Sequence, residues 1–207
     1  MPSGGLTTTH RALLCLLAVR AWSAYELVGQ MGRSVGVVWP RARSNLYADL
    51  KRLAAEGLAT TEEGRTGRRR RTVYSITATG RDELGRWLAE PGAAPYVECE
   101  ALLKLAFAPQ SSRQAALAQV AVIAGHAQER LALGRRLAEE HLAADGPLPE
   151  RLHVNAVLWR FLWFQHRAMA DWAQWAREEI EQWPDTADSP SMRRRGQRAI
   201  RAALDES

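Results

Sequence analysis

Five of the eight residues in Gly64-Arg65-Thr66-Gly67-Arg68-Arg69-Arg70-Arg71 are arginines. A guanidinium is planar, always charged, and can bond a phosphate or carboxylate through two parallel N–H groups. Five of them on one short turn repel each other unless an anion lies among them. A second polar group precedes it: Arg41, Arg43, Ser44, Asn45, Tyr47 and Lys51. Arginine can bond guanine O6 and N7, and asparagine can bond adenine N6 and N7. Arg43 and Asn45 therefore suit base edges. Arg41, Ser44, Tyr47 and Lys51 suit phosphate oxygens, which set register without reading sequence. Chemistry of other kinds is poorly provided for. None of His10, His126, His141, His153 and His166 stands at a metal-ligand spacing, and Cys15 and Cys99 form no pair motif. No Ser/His/Asp or Cys/His set assembles from local motifs. The expectation is a chain with no catalytic residue, no metal and no cofactor, hence not an enzyme. His10, near a helix start, is expected to touch a phosphate.

These residues need elements to hold them. Thr7, Thr8 and Thr9 can cap a helix over 7–20 that carries Leu13, Leu14, Leu16 and Leu17. Ser23 and Glu26 have capping-box spacing for a helix over 23–33. Gly36 and Pro40 break the pattern. In a helix over 43–56, Leu46, Leu50 and Leu53 share one face, and Gly57 ends it. Segments 59–63 and 72–76 read as strands, the second holding Tyr74, which joins the wing arginines as an expected contact. A helix over 78–90 follows, capped by Thr77 or Thr79. Helix, capped helix, turn, helix, hairpin and helix in this order make a winged helix-turn-helix, placed at residues 1–91.

The fold class expected is mainly α: this N-terminal unit with a two-stranded β-wing, then an all-helical dimerisation region. Pro91-Gly92-Ala93-Ala94-Pro95 reads as a linker. Helices follow over 97–108, 112–144 and 151–183, the last two separated by Asp145-Gly146-Pro147. Helices of about 30 residues reach ~45 Å, long for one small domain, so a homodimer through residues 96–184 is expected. Residues 185–207 read as a flexible basic tail. Residues 1–91 carry 14 basic and 8 acidic side chains, a net of +6, and residues 92–207 carry 14 and 15, a net of −1. The basic half is the one expected to meet a polyanion. Codon bias of a GC-rich genome accounts for the excess of arginine over lysine, but not for its clustering. No run is long enough to span a bilayer, and two cysteines make no disulfide framework, so a soluble cytoplasmic protein is expected. Among the eight tryptophans, Trp159 and Trp163 lie one turn apart. They are candidates, with Trp22, Trp39 and Trp87, to line a pocket for a planar effector, against the plainer role of filling a core.

Specific segments carry a resemblance. They are His10-Arg11-Ala12-Leu13-Leu14, Ser23-Ala24-Tyr25-Glu26-Leu27, Arg43-Ser44-Asn45-Leu46-Tyr47-Ala48-Asp49-Leu50, Glu56-Gly57-Leu58 and Val73-Tyr74-Ser75-Ile76-Thr77-Ala78-Thr79-Gly80. In this order they resemble the PadR family of bacterial transcription regulators. Glu100-Ala101-Leu102-Leu103-Lys104-Leu105-Ala106-Phe107 and Trp172-x-x-Trp175 are similar to the helical extension of its longer members. The resemblance implies a homodimer on double-stranded DNA with an inverted-repeat operator, repression, and release by a small, often aromatic, molecule. Arg41-Ala42-Arg43 departs from the Pro or Ser of many relatives. Two rivals stand beside it: a winged module that binds protein rather than DNA, and a small helical enzyme.

Overall fold

The computed structural model describes residues 5–33, 35, 38–39, 43–66, 69–143 and 149–205. Gly36, Pro40, Arg41, Arg68 and the Asp145-Gly146-Pro147 turn lie outside them. The chain divides into two compact units, residues 1–95 and 96–207.

The first unit begins with α1 (Thr8–Val19), β1 (Trp22–Ser23), α2 (Ala24–Arg33) and α3 (Arg43–Ala55). It continues with β2 (Ala59–Thr66), β3 (Arg69–Ile76) and α4 (Ala78–Ala89). Each helix starts where a side chain can satisfy its free N–H groups. Thr7 Oγ1 accepts from the His10 N–H, Ser23 exchanges bonds with Glu26, and Thr77 Oγ1 accepts from the Gly80 N–H at 3.0 Å. α3 ends on Gly57, whose φ of +72° a side chain would strain, with the Leu58 N–H returning to the Leu53 carbonyl at 2.9 Å. β2 and β3 form the expected hairpin, and β1 adds a third antiparallel strand on the far side of β3, Trp22 opposite Tyr74. Two-residue β1 escapes the sequence patterns because its partner lies fifty residues away. Leu13, Leu14, Leu17, Leu27, Met31, Leu46, Leu50 and Leu53 form the centre of the core.

One junction holds α3, the wing and α4 together. Thr77 Oγ1 donates to the Gly57 carbonyl at 2.8 Å, and the Thr77 N–H donates to the Leu58 carbonyl at 3.1 Å. Gly80 lies so close that an added Cβ would stand 2.2 Å from the Leu58 oxygen. The Thr-x-x-Gly spacing is thus a hydrogen-bonding residue followed by a close approach.

The second unit holds α5 (Glu100–Ala106), a 3-10 turn at Ala108–Gln110, α6 (Arg113–Leu142), α7 (Leu152–Glu181) and α8 (Pro190–Asp205). α6 packs on α7 through small residues, Ala116 and Val120 meeting Ala173, Ala176 and Ile180. α8 is a correction to the flexible tail expected after Asp185. Ser189 Oγ accepts from the Met192 N–H at 3.2 Å, and Pro190 opens the helix where a missing N–H costs nothing. Arg195 binds Glu179 and Gln182, tying the helix to the end of α7, and holds the Glu179 carboxyl below the usual range. No described helix is long and apolar enough to cross a membrane.

Candidate nucleic-acid interface

α3 has one face fixed and one face free. Leu46, Leu50 and Leu53 are buried in the core. Asn45, Tyr47, Ala48 and Lys51 are exposed on the other side. The sequence spacing and the packing therefore agree on which face is available to a groove. Arg43 and Ser44 open α3, with side chains outside the described set. Arg52, the remaining cation of the helix, lies 2.7 Å from Glu56, one turn on.

The wing register sets Arg65 opposite Arg70 and Thr66 opposite Arg69, so positive charge concentrates at the outer end of the ribbon. The side chains of Arg65, Arg69 and Arg70 are outside the described set, and Arg71 is exposed. Arg71 and Arg20 add a small electrostatic pull on Glu26, whose carboxyl is held below its ordinary value first by hydrogen bonds from Ser23. Tyr74 is a correction. It is only 6 % exposed, faces the core opposite Trp22, and burial raises its phenol above its usual value. Alternation along β3 turns it inward, away from any ligand of the wing. His10 is a second correction: it is 3 % exposed and cannot reach a phosphate.

Tyr25 is the residue the sequence reading missed. It stands second in α2 with 77 % of its surface open. Its signal was an aromatic side chain beside the Ser23–Glu26 cap, on the polar side of an amphipathic helix.

The tryptophans fall into two units. Trp22 belongs to the core rather than to a pocket wall: its indole N–H donates to the Leu16 carbonyl at 2.8 Å, and Arg20 lies 3.7 Å over its ring. Trp39 is partly open and donates to Thr9 Oγ1 at 3.1 Å, while Trp87 packs at the core edge under Arg11. In the second unit, Trp159 and Trp163 stack with centroids 5.1 Å apart, and Trp159 donates to the Gly134 carbonyl at 3.0 Å. Among the described residues no group of three metal-ligating side chains occurs.

Comparison with known proteins supplies the family. Residues 13–86 match the model of the transcriptional regulator PadR-like family, and residues 99–181 match that of the virulence activator alpha C-terminal region. The chain belongs to the PadR-like family. A Mycobacterium tuberculosis protein named as a transcriptional regulator is 36% identical over 81 residues, 39% of this chain and 43% of that protein. The negative transcriptional regulator PadR of Bacillus subtilis is 32% identical over 107 residues, 51% of this chain and 59% of that one. The matched segments thus span about half the length of these curated relatives. Bacillus subtilis PadR in complex with operator DNA has a TM-score of 0.72 at 22% identity, covering 84% of this chain and 99% of that one. In complex with p-coumaric acid it has a TM-score of 0.67 at 23% identity, covering 85% and 100%. The Vibrio cholerae virulence activator AphA has a TM-score of 0.65 at 24% identity, covering 84% and 98%. The PadR-like fold, a winged helix-turn-helix followed by a helical region, is therefore common to all of these.

Proposed function

We propose that this protein is a DNA-binding transcriptional repressor of PadR type, acting as a cytoplasmic homodimer on an inverted-repeat operator. The observation that carries it is the exposed polar face of α3, held by a buried leucine seam within a PadR-like winged unit. Arg43 and Asn45 read base edges in the major groove. Arg41, Ser44, Tyr47, Lys51 and the wing arginines Arg65, Arg68, Arg69, Arg70 and Arg71 bind phosphate. The protein works by binding and not by turnover.

An apolar row on α7 supports the homodimer. Val154, Val157, Phe161 and Phe164 are all exposed at helical spacings of three, four and three. Four large apolar side chains in one stripe are the pattern of a helix that packs on another chain. Two subunits then hold two α3 helices about one DNA turn, ~34–36 Å, apart. A small aromatic effector that prefers another arrangement lowers operator affinity by its differential binding to the two states. The relative solved with p-coumaric acid supports an effector of that class, with Trp39, Trp87, Trp159 and Trp163 as the aromatic side chains available to it.

The test is binding of the purified protein to DNA upstream of its own coding sequence, by fluorescence anisotropy over a salt series with non-specific competitor. Specific binding that weakens steeply with salt is the expected result. Equal, weak binding to every duplex, in that region and in a genome-wide selection, would overturn the proposal.

A further inference from the structure

An imidazole joins the start of α1 to the middle of α3. His10 is buried, and both ring nitrogens face polar groups. The Thr7 N–H lies 3.1 Å from Nδ1 and Thr7 Oγ1 lies 2.7 Å from it. Nδ1 therefore accepts, which assigns the proton to Nε2. Nε2 lies 3.4 Å from Asp49 Oδ1 and has no other partner. Asp49 is the residue one turn after Asn45, on the same side of α3. Arg52 and Glu56 of α3 and Arg11 of α1 are the other charges that act on the ring.

The leucine seam of α3 fixes which face is inward. Apolar packing is non-directional, however, and leaves the helix some freedom to slide along its axis. A hydrogen bond from a rigid, buried ring to a carboxylate has a direction, and it removes that freedom.

We propose that His10 is a positioning residue for the recognition helix: through Nε2 and Asp49 it sets the axial position of α3, and with it the depth at which Asn45 meets a base edge. His10 itself touches no DNA. This rests on the DNA-binding function proposed above. Neither residue was marked for such a role by its spacing, because the pair lies 39 positions apart in the chain.

The experiment compares D49N, D49A and H10L with the parent chain. Affinity is measured for the tightest duplex recovered by selection from genomic DNA and for a scrambled duplex of the same length. D49N and D49A both remove one negative charge, but only Asn keeps an oxygen that can accept from Nε2. The parent and D49N are expected to discriminate the two duplexes within about twofold of each other. D49A and H10L are expected to lose about tenfold in discrimination, at the low end for a hydrogen bond to a charged group. Affinity for the scrambled duplex should be the same in D49A and D49N. Melting is followed alongside, and if H10L fails to fold, the two Asp49 variants decide alone. Equal discrimination by D49A and D49N, whatever their melting temperatures, would overturn the proposal. A parent chain that discriminates between no duplexes would instead overturn the function on which it rests.

Discussion

Replacing Gly80 by Ala tests the junction of α3, wing and α4. The new methyl would stand 2.2 Å from the Leu58 oxygen and 2.9 Å from Ile76 Cγ1. The first of these is about an ångström inside van der Waals contact, and it is against backbone, which cannot swing aside. The Leu58 carbonyl also accepts from the Thr77 N–H, so moving it weakens the bond that positions the α4 cap. Overpacking of this kind costs ~3 kcal/mol. Alanine recovers ~1 kcal/mol through its better helix propensity. The net loss is ~2 kcal/mol, and for a unit of this size that lowers Tm by ~8–16 °C. The assay is thermal unfolding followed by far-UV circular dichroism, with DNA binding measured well below the transition. A Tm within about 3 °C of the parent would show that α4 can back away freely and would refute the close-approach argument.

Changing Arg69, Arg70 and Arg71 together to Gln should weaken binding to all duplexes alike and flatten the plot of log K against log salt by up to ~0.9 per lost phosphate contact; an unchanged slope would remove the wing from the interface. Introducing Glu at Phe161 and Phe164 should convert the dimer to a monomer in light scattering and reduce operator affinity more than tenfold, since one half-site then binds alone; a variant that stays dimeric would place the interface elsewhere. Burial holds His10 and His166 below their usual value of 6.5, with nearby cations adding to the effect at His166. Both bind fewer protons folded than unfolded near that pH, so stability is full above about pH 6.5 and falls as the pH drops below it. Urea midpoints should therefore be lower at pH 5.5 than at 7.5, and H166Q should reduce the difference.

Much of the first unit could be read from residues that act locally. Ser23 and Glu26 mark a helix start, Gly57 marks a stop, and the Leu46, Leu50 and Leu53 spacing shows which side of α3 is open, because each depends on neighbours within two turns. What escaped depends on distant partners. Tyr74 has the same β-favouring character whichever way it faces, and only its pairing with Trp22 turns it inward. His10 looked like a polar residue at a helix end until Asp49 was seen beside it. In the second unit, α8 was hidden by its composition. Five arginines suggested solvated chain, whereas Ser189-Pro190 is a helix start and Glu179, ten residues before it, supplies the anchor.

The wing is not uniform along its length. At its root, Val73 and Tyr74 lie in the middle of three strands, between β1 and β2. Beyond Thr72 the ribbon has two strands only, and the arginines sit there. In mechanical terms it is a cantilever, clamped at one end and compliant at the other. Bending stiffness drops at the step from three strands to two, so deflection concentrates outside the core and leaves α3 undisturbed. Grooves of different width can then be met by the same charged tip without altering which bases are read.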